Sequence, residues 1–218
     1  MTISDCILCE SSQVAFFYED SSKHYAATYY QCQNCRLIFA TPSDQPSKRD
    51  ERARYDTHEN DPADEGYRNF LAQLFSPLNE RLEANSKGLD FGSGPGPTLN
   101  LMFEEAGHRM NIYDPFYADD ESVFGQSYDF ITATEVAEHL HHPAEELNRL
   151  WNCLHPGGYL GIMTKVAKDD VDFFADWHYR LDFTHVTFYT KESFRYMAES
   201  WDADLSFFGN RTVIFQKR

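Results

Sequence analysis

The residues with the most evident chemistry are Leu89-Asp90-Phe91-Gly92-Ser93-Gly94-Pro95-Gly96-Pro97. An apolar run ends in three glycines at alternate positions, with an acid just before them. A second acid, Asp114, closes the next apolar run, Met110-Asn111-Ile112-Tyr113, eighteen residues after Gly96. Glycine has no Cβ, so the backbone can turn tightly and lie against a ligand. A carboxylate at the tip of the neighbouring strand can accept hydrogen bonds from a ribose. Together these residues outline a nucleoside-binding crevice on an open α/β sheet.

The spacing narrows the ligand. Dinucleotide folds use G-x-G-x-x-G, whose last glycine lets a helix N-terminus meet the pyrophosphate. Counted from Gly92, that last place is Pro97, and the pattern is G-x-G-x-G. Such a loop approaches a nucleoside closely without being built for a diphosphate, which favours S-adenosylmethionine (SAM) over NAD or FAD.

A second chemical group lies at the other end of the chain. Cys6-x-x-Cys9 and Cys32-x-x-Cys35 are two pairs separated by twenty-two residues. Two such knuckles brought together present four thiolates in a tetrahedron, which suits Zn²⁺. Protein would fill all four positions, so the expected zinc is structural and not catalytic. His24 lies between the pairs and reads as a bystander. A reducing cytoplasm disfavours disulfides as the alternative. Cys153 stands alone on an expected helix and reads as a small core residue.

With 218 residues, 16% of them aromatic, the chain can build one α/β domain plus a small appendage. A net charge of −16 with no long Lys/Arg cluster argues against nucleic acid and anionic membranes as partners. No window has the apolar length to span a bilayer. Met1 to Glu10 lacks the basic start and apolar core of a secretory signal, so a cytoplasmic protein is expected.

Three regions are expected. Residues 1–41 form a zinc-ribbon-like module with short strands at 14–18, 25–30 and 37–40. Residues 42–86 form a connector with a helix near 48–55 and a helical segment over 64–81, which Pro77 should break or kink near Ser76. Residues 87–218 alternate strand and helix, which implies βαβ units and a parallel sheet. Strands are expected at 87–91, 109–113, 128–132, 159–164, 205–208 and 212–216, and the last helix at 188–199. Pro156-Gly157-Gly158 reads as a turn.

The third region resembles a class I SAM-dependent methyltransferase. The matching residues are Asp90 to Gly96, Asp114, Tyr128-Asp129-Phe130-Ile131-Thr132-Ala133-Thr134-Glu135-Val136-Ala137-Glu138-His139-Leu140, and Leu154-His155-Pro156-Gly157-Gly158-Tyr159-Leu160. They are similar to bacterial methyltransferases of the ubiquinone- and sugar-methylating kind, some of which carry a zinc-binding N-terminus with a second knuckle like Tyr30 to Phe39. The resemblance implies a Rossmann-like, doubly wound, mostly parallel sheet with an antiparallel last strand. It departs from the family between Pro115 and Ser127, where the third strand must be very short or missing. Asp119, Asp120 and Glu121 lie there without a clear match to the family's adenine contact.

A sulfonium methyl is already activated, so the protein mainly positions donor and acceptor, and a base is needed only if the acceptor's proton must leave. Gly92, Gly94 and Gly96 are expected to line the donor, with Asp90 near its amino-acid end and Asp114 on the ribose. Thr134 and Glu135 follow a strand at its carboxyl end, where open α/β sheets bind ligands. His139 is a candidate base. His141 and His142 read as exposed residues ahead of a helix that Pro143 begins. In this fold the segment Asp176 to Tyr189 commonly covers the acceptor. His185, oriented by Asp182, is then a candidate catalytic residue, and Trp177, Tyr179 and Arg180 would shape the pocket. The alternative is a packed crossover whose aromatics fill the core. The expected activity is methyl transfer from SAM to a small molecule. The other readings are a non-catalytic SAM-binding or zinc-ribbon interaction protein, and a protein methyltransferase.

Overall fold

The computed structural model describes residues 5–22, 26–57 and 60–218, so His24 lies outside the described residues. Three short strands open the chain: β1 (Val14–Asp20), β2 (Ala27–Cys32) and β3 (Ile38–Ala40). Helices α1 (Lys48–Tyr55) and α2 (Glu65–Asn79) follow. Then come β4 (Lys87–Phe91), α3 (Leu99–Glu105), β5 (Arg109–Tyr113), β6 (Tyr128–Thr134), α4 (Pro143–Asn152) and β7 (Leu154–Met163). Helix α5 (Val171–Asp176), β8 (Thr187–Phe188), α6 (Lys191–Ser200), β9 (Ala203–Phe208) and β10 (Thr212–Lys217) complete it.

Two sheets result. The larger has the order β5-β4-β6-β7-β10-β9. Strands β5, β4, β6 and β7 are parallel, and β10 runs antiparallel between β7 and β9. This is the expected doubly wound frame, and no strand forms between Pro115 and Ser127, where the chain makes a 3-10 turn, Glu121–Gly125, instead. Helices α2 and α3 cover one face through Leu71, Leu74, Leu78, Leu99 and Phe103. The other face carries α4 and α6 through Leu147, Leu150, Phe194 and Met197. Burial of these stripes between helix and sheet is the main favourable term.

The smaller sheet has the order β1-β2-β3-β8. Its fourth strand comes from near the other end of the chain, with Ile38 opposite Phe188 and Phe39 opposite Thr187. Cys6, Cys32, Cys35, Leu37 and Phe39 share one buried cluster with Tyr189 and Phe194. The cysteine-bearing strands are therefore packed into the same core as the larger sheet. Helix α6 starts at Lys191, later than expected, because Thr190 and Ser193 form a reciprocal capping box there.

The expected break at Pro77 does not occur. Helix α2 runs through it to Asn79. Proline removes the N–H that would reach the carbonyl of Gln73, but the Thr212 hydroxyl donates to that carbonyl at 3.1 Å. Strand β10 thus supplies the donor that the helix lacks. Pro156, Gly157 and Gly158 do not precede a strand but loop out within β7, whose ladder to β6 jumps from Tyr128–Leu154 to Phe130–Tyr159.

Thr212→Val should leave the Gln73 carbonyl unpaired and cost about 1–2 kcal/mol in chemical denaturation. In a Pro77→Ala background the restored N–H should take over, and the cost of Thr212→Val should largely vanish. An equal cost in both backgrounds would refute this account of the unbroken helix.

Candidate active site

Strands β4, β5 and β6 end side by side, and the loops at their carboxyl ends form the floor of one cavity of about 840 Å³. Gly92 and Gly94 adopt φ of +75° and +67°, in the left-handed region. A Cβ on Gly92 would stand 2.3 Å from a methyl of Val136. The N–H groups of Gly92 and Ser93 donate to the Tyr113 carbonyl at 2.8 and 3.2 Å. Asp114, at the tip of β5, takes the Gly94 N–H at 2.9 Å on one oxygen and those of Phe116 and Tyr117 at 2.8 and 3.1 Å on the other. One carboxylate therefore anchors the loops on both sides of the floor.

Two residues expected at the donor lie elsewhere. Asp90 does not line the cavity: its carboxyl is buried beneath the glycine loop and accepts the Thr132 hydroxyl at 2.7 Å. Gly96 is covered by the chain at Asn60, whose carbonyl oxygen would lie 2.2 Å from an added Cβ. Its missing side chain makes room for residues preceding α2.

Thr134 and Glu135 do line the cavity. Glu135 has a φ of +52°, a strained conformation for a side chain other than glycine. Ser93 Oγ, Thr134 Oγ1 and Glu135 Oε1 are buried with no partner among the described residues. Three unsatisfied polar atoms buried at one floor leave hydrogen-bonding groups that a polar ligand could complete.

Beside them is a buried acid pair. Glu138 is fully buried, and its Oε1 accepts the Tyr179 hydroxyl, which also reaches Glu135 Oε2 at 3.3 Å. Burial pushes both carboxyls up to about 7, and the charge of Glu138 adds to the shift at Glu135. His139 lines the cavity with its ring edge-on to Tyr55, 5.3 Å between centroids. Its Nδ1 lies 2.9 Å from the Thr184 carbonyl oxygen, which can only accept. Nδ1 therefore carries the proton and Nε2 the lone pair. Burial lowers the pKa of His139.

The segment expected over the acceptor is mostly core. His185 points its Nδ1 at the Tyr179 carbonyl, 2.6 Å away, and burial, with His139 next, lowers its pKa to about 3. Asp182 does not orient it. That carboxylate accepts Arg54 at 2.8 and 3.0 Å and the Thr184 N–H and hydroxyl at 3.1 and 2.6 Å. Burial alone would raise the Asp182 carboxyl, but the Thr184 bonds, His185 and Arg54 outweigh it and hold it at about 2. Trp177 packs on Phe174 and Phe188. Arg180 is buried in an ion pair with Asp20 and donates to backbone carbonyls of α5. Trp177 and Tyr179 thus belong to a buried cluster with Phe17, Tyr29, Phe174 and Phe188, Arg180 is committed to Asp20, and of this segment only Asp182 lines the cavity.

The roof was not read from the sequence. Lys48, Glu51 and Tyr55 of α1 line the cavity, as do Asn60, Tyr67 and Phe70. Their spacing along α1, three and four residues apart, was the available signal. His141, expected to be exposed, stands 3.1 Å from the Glu51 carboxylate. Glu121 and Arg149 form an ion pair at the rim, filling the place of the missing strand.

The four cysteines converge as expected, with Cys6 and Cys35 sulfurs 3.6 Å apart and those of Cys9 and Cys32 3.4 Å apart. All four lie within 4.8 Å of one another. Tetrahedral zinc holds thiolates about 3.8 Å apart, so the set fits that ion. Backbone N–H groups of Leu8, Asn34 and Cys35 point at the sulfurs from 3.4–3.5 Å.

Asp90 has a testable cost. Burial raises its carboxyl to about 7, so the folded chain keeps a proton there that the unfolded chain releases near 4. Stability contributed by this group falls as pH rises between those values. Asp90→Asn should match the parent at pH 4 and exceed it at pH 8 by up to about 4 kcal/mol. Urea melts at the two pH values measure this, and an equal effect at both would refute it.

A family model described as a methyltransferase domain matches residues 63–205. A ubiquinone biosynthesis O-methyltransferase of Shewanella pealeana is 32% identical over 92 residues, 42% of this chain and 39% of that protein. The matched stretch thus spans about two fifths of that relative's length. Among solved structures, the 1,6-didemethyltoxoflavin-N1-methyltransferase of Burkholderia thailandensis superposes with a TM-score of 0.53 at 13% identity, over 85% of this chain and 97% of that one. An O-methyltransferase family protein of the same organism gives 0.51 at 13% identity, over 81% and 65%. The domain match covers well over half of the chain, and the chain belongs to the class I SAM-dependent methyltransferases.

Proposed function

We propose that this protein transfers a methyl group from SAM to a hydroxyl of a small-molecule acceptor. The observation that carries the reading is the cradle of unsatisfied atoms, Ser93 Oγ, Thr134 Oγ1 and Glu135 Oε1, on the same floor as Gly92, Gly94 and Asp114. Asp114 would hold the ribose, and the three orphaned atoms the amino-acid end of the donor. Bound there, SAM supplies an activated sulfonium methyl for in-line displacement. His139 would take the acceptor's proton at Nε2, since Nδ1 is committed to Thr184. The curated relative is named for O-methylation, which supports oxygen as the acceptor atom.

The acceptor class follows from the walls. A cavity of about 840 Å³ roofed by α1 has room for the donor and a small acceptor. That supports a small molecule over a protein side chain, and the net charge of −16 supports it over nucleic acid. A second reading has its own observation. Glu138, His139 and His185 bring one ligand atom each within 4.8 Å of the others. A divalent cation held there would polarise the acceptor hydroxyl in place of a base. We assign the four cysteines to structural zinc. Among the described residues no helix is long and apolar enough to cross a membrane.

Calorimetry should show SAM binding that Asp114→Ala weakens at least tenfold, and absence of binding to the parent would end the reading. With radiolabelled SAM and a panel of phenols, His139→Gln should lower turnover about 10²-fold or more with SAM affinity nearly unchanged. Because burial lowers the pKa of His139, the acid limb of the rate should fall below the usual imidazole range near 6.5. Loss of turnover in chelator, restored by Mg²⁺ or Mn²⁺, would favour the cation instead. Metal analysis of protein purified without chelator should give close to one zinc per chain, and folded, metal-free protein would refute that assignment.

A further inference from the structure

Asp182 uses its two oxygens differently. Oδ2 receives Nε and Nη2 of Arg54, at 3.0 and 2.8 Å. Oδ1 receives the N–H and hydroxyl of Thr184, at 3.1 and 2.6 Å. Arg54 belongs to α1, the helix that roofs the cavity through Glu51 and Tyr55. Thr184 is fully buried, and its carbonyl is the group that meets His139 Nδ1 at 2.9 Å. A continuous line of hydrogen bonds therefore runs from the roof, through one carboxylate, to the imidazole in the wall.

We propose that Asp182 is a positioning residue that ties the roof helix to the tautomer of His139, holding α1 down through Arg54 and holding the Thr184 carbonyl on Nδ1 so that Nε2 faces the acceptor without a proton. This rests on the reading of His139 as the base. The carboxylate acts at a distance. No hydrogen bond joins its side chain to either imidazole among the described residues, so it does not work as the direct carboxylate–imidazole pair expected from Asp182 and His185.

Three physical points support it. The direction of the Thr184 carbonyl is set by the turn at 182–185, in which the His185 N–H also donates to the Asp182 carbonyl at 3.0 Å. Removing the Asp182 side chain takes two bonds from that turn, and Thr184 is too buried for water to replace them. The Arg54 and Asp182 side chains are 37% and 17% exposed. A pair so placed adds little stability, so its effect is on geometry. The roof has a further fastening just past α1, where the Tyr117 hydroxyl donates to Asp56 at 2.6 Å. On the His139 side Arg54 acts beside the contact of Glu51 with His141 at 3.1 Å.

The test of the tie itself needs no acceptor; only the role of His139 as base is read by methyl transfer to the phenol panel. With ¹⁵N-labelled histidines and S-adenosylhomocysteine bound, the parent should show His139 with its proton on Nδ1. Asp182→Ala should give a mixture with the Nε2–H form. Asp182→Asn keeps an oxygen for Thr184, so it should keep the tautomer while losing Arg54. Amide exchange in α1 should quicken about tenfold in Arg54→Ala, Asp182→Asn and Asp182→Ala alike. Affinity for S-adenosylhomocysteine should stay within about threefold, since neither side chain is in the donor cradle. An unchanged tautomer in Asp182→Ala overturns the tie. Should that variant fail to fold, unchanged α1 exchange in Arg54→Ala overturns it. A mixed tautomer with undiminished methyl transfer would uphold the tie and remove His139 from its role as base.

Discussion

The short pairing of β3 with β8 is the contact on which the rest of this structure depends. It is only two residues wide, Ile38 with Phe188 and Phe39 with Thr187. The Ala40 N–H donates to the Val186 carbonyl at 2.8 Å, and the Val186 N–H to the Glu138 carbonyl at 2.9 Å. The Thr187 hydroxyl reaches the Leu140 carbonyl at 2.8 Å. The cysteine-bearing sheet is thereby joined through β8 to the turn that carries Glu138 and His139. Without that ladder, residues 164–190 would be a long crossover held by a few scattered backbone bonds, such as those of Thr164 and Val166 to the carbonyls of Arg211 and Asn210, which compact folds rarely tolerate. Instead Phe174, Trp177 and Phe188 pack on Phe17 and Tyr29 and form a second core. The N-terminal strands thus back the wall of the site without lining the cavity, and the metal they are suited to hold would stabilise that wall from behind.

The wall then has to carry buried acids. Glu138 sits at zero exposure with one oxygen unpartnered, next to Glu135, which has one unpartnered oxygen of its own. Two carboxylates this close and this dry cannot both ionise cheaply near neutral pH. The Tyr179 hydroxyl, donating to both, offsets part of the cost, and a shared proton offsets more. Unsatisfied groups in a cavity that faces a bound cation are less costly than the same groups in a closed core, because the cation completes them. A sulfonium donor carries positive charge. On the proposed reading the acids of the site oppose folding but would favour the donor, and the strain at Glu135 would belong to the same trade.

Much of this was legible in the residues, and the part that was not has a common cause. The G-x-G-x-G loop, Asp114 and the two cysteine knuckles each combine residue type with short spacing, so local sequence specifies them. The strand–helix alternation from Lys87 onward is likewise a local periodicity. What escaped depends on partners far along the chain. Pro77 reads as a breaker until Thr212 is placed beside Gln73. Gly96 reads as a ligand contact until Asn60 is placed over it. Arg180 reads as a pocket residue until Asp20, 160 positions earlier, is found buried against it. Asp182 reads as the partner of His185 until Arg54, on a helix whose position over the cavity no local pattern announces, is placed against it.

The absent third strand shows how the fold compensates when a piece is left out. In its place, Asp120 caps a 3-10 turn that brings Val123 and Phe124 against Tyr113 and Tyr128. The Tyr128 hydroxyl, buried beneath, is satisfied by the Val123 carbonyl at 2.8 Å. Arg149 from α4 stacks over Phe124 at 3.3 Å and pairs with Glu121, which also accepts the Tyr113 hydroxyl. Guanidinium stacking on an aromatic face, plus a carboxylate partner, holds planar groups without a backbone ladder. Strand β5 thus ends the sheet with its outer edge left unpaired by any strand, and side chains close the rim instead. A rim built this way can present Glu121 and Arg149 to whatever occupies the cavity beside Asp114, a role that a regular strand with alternating side chains would have divided between two faces.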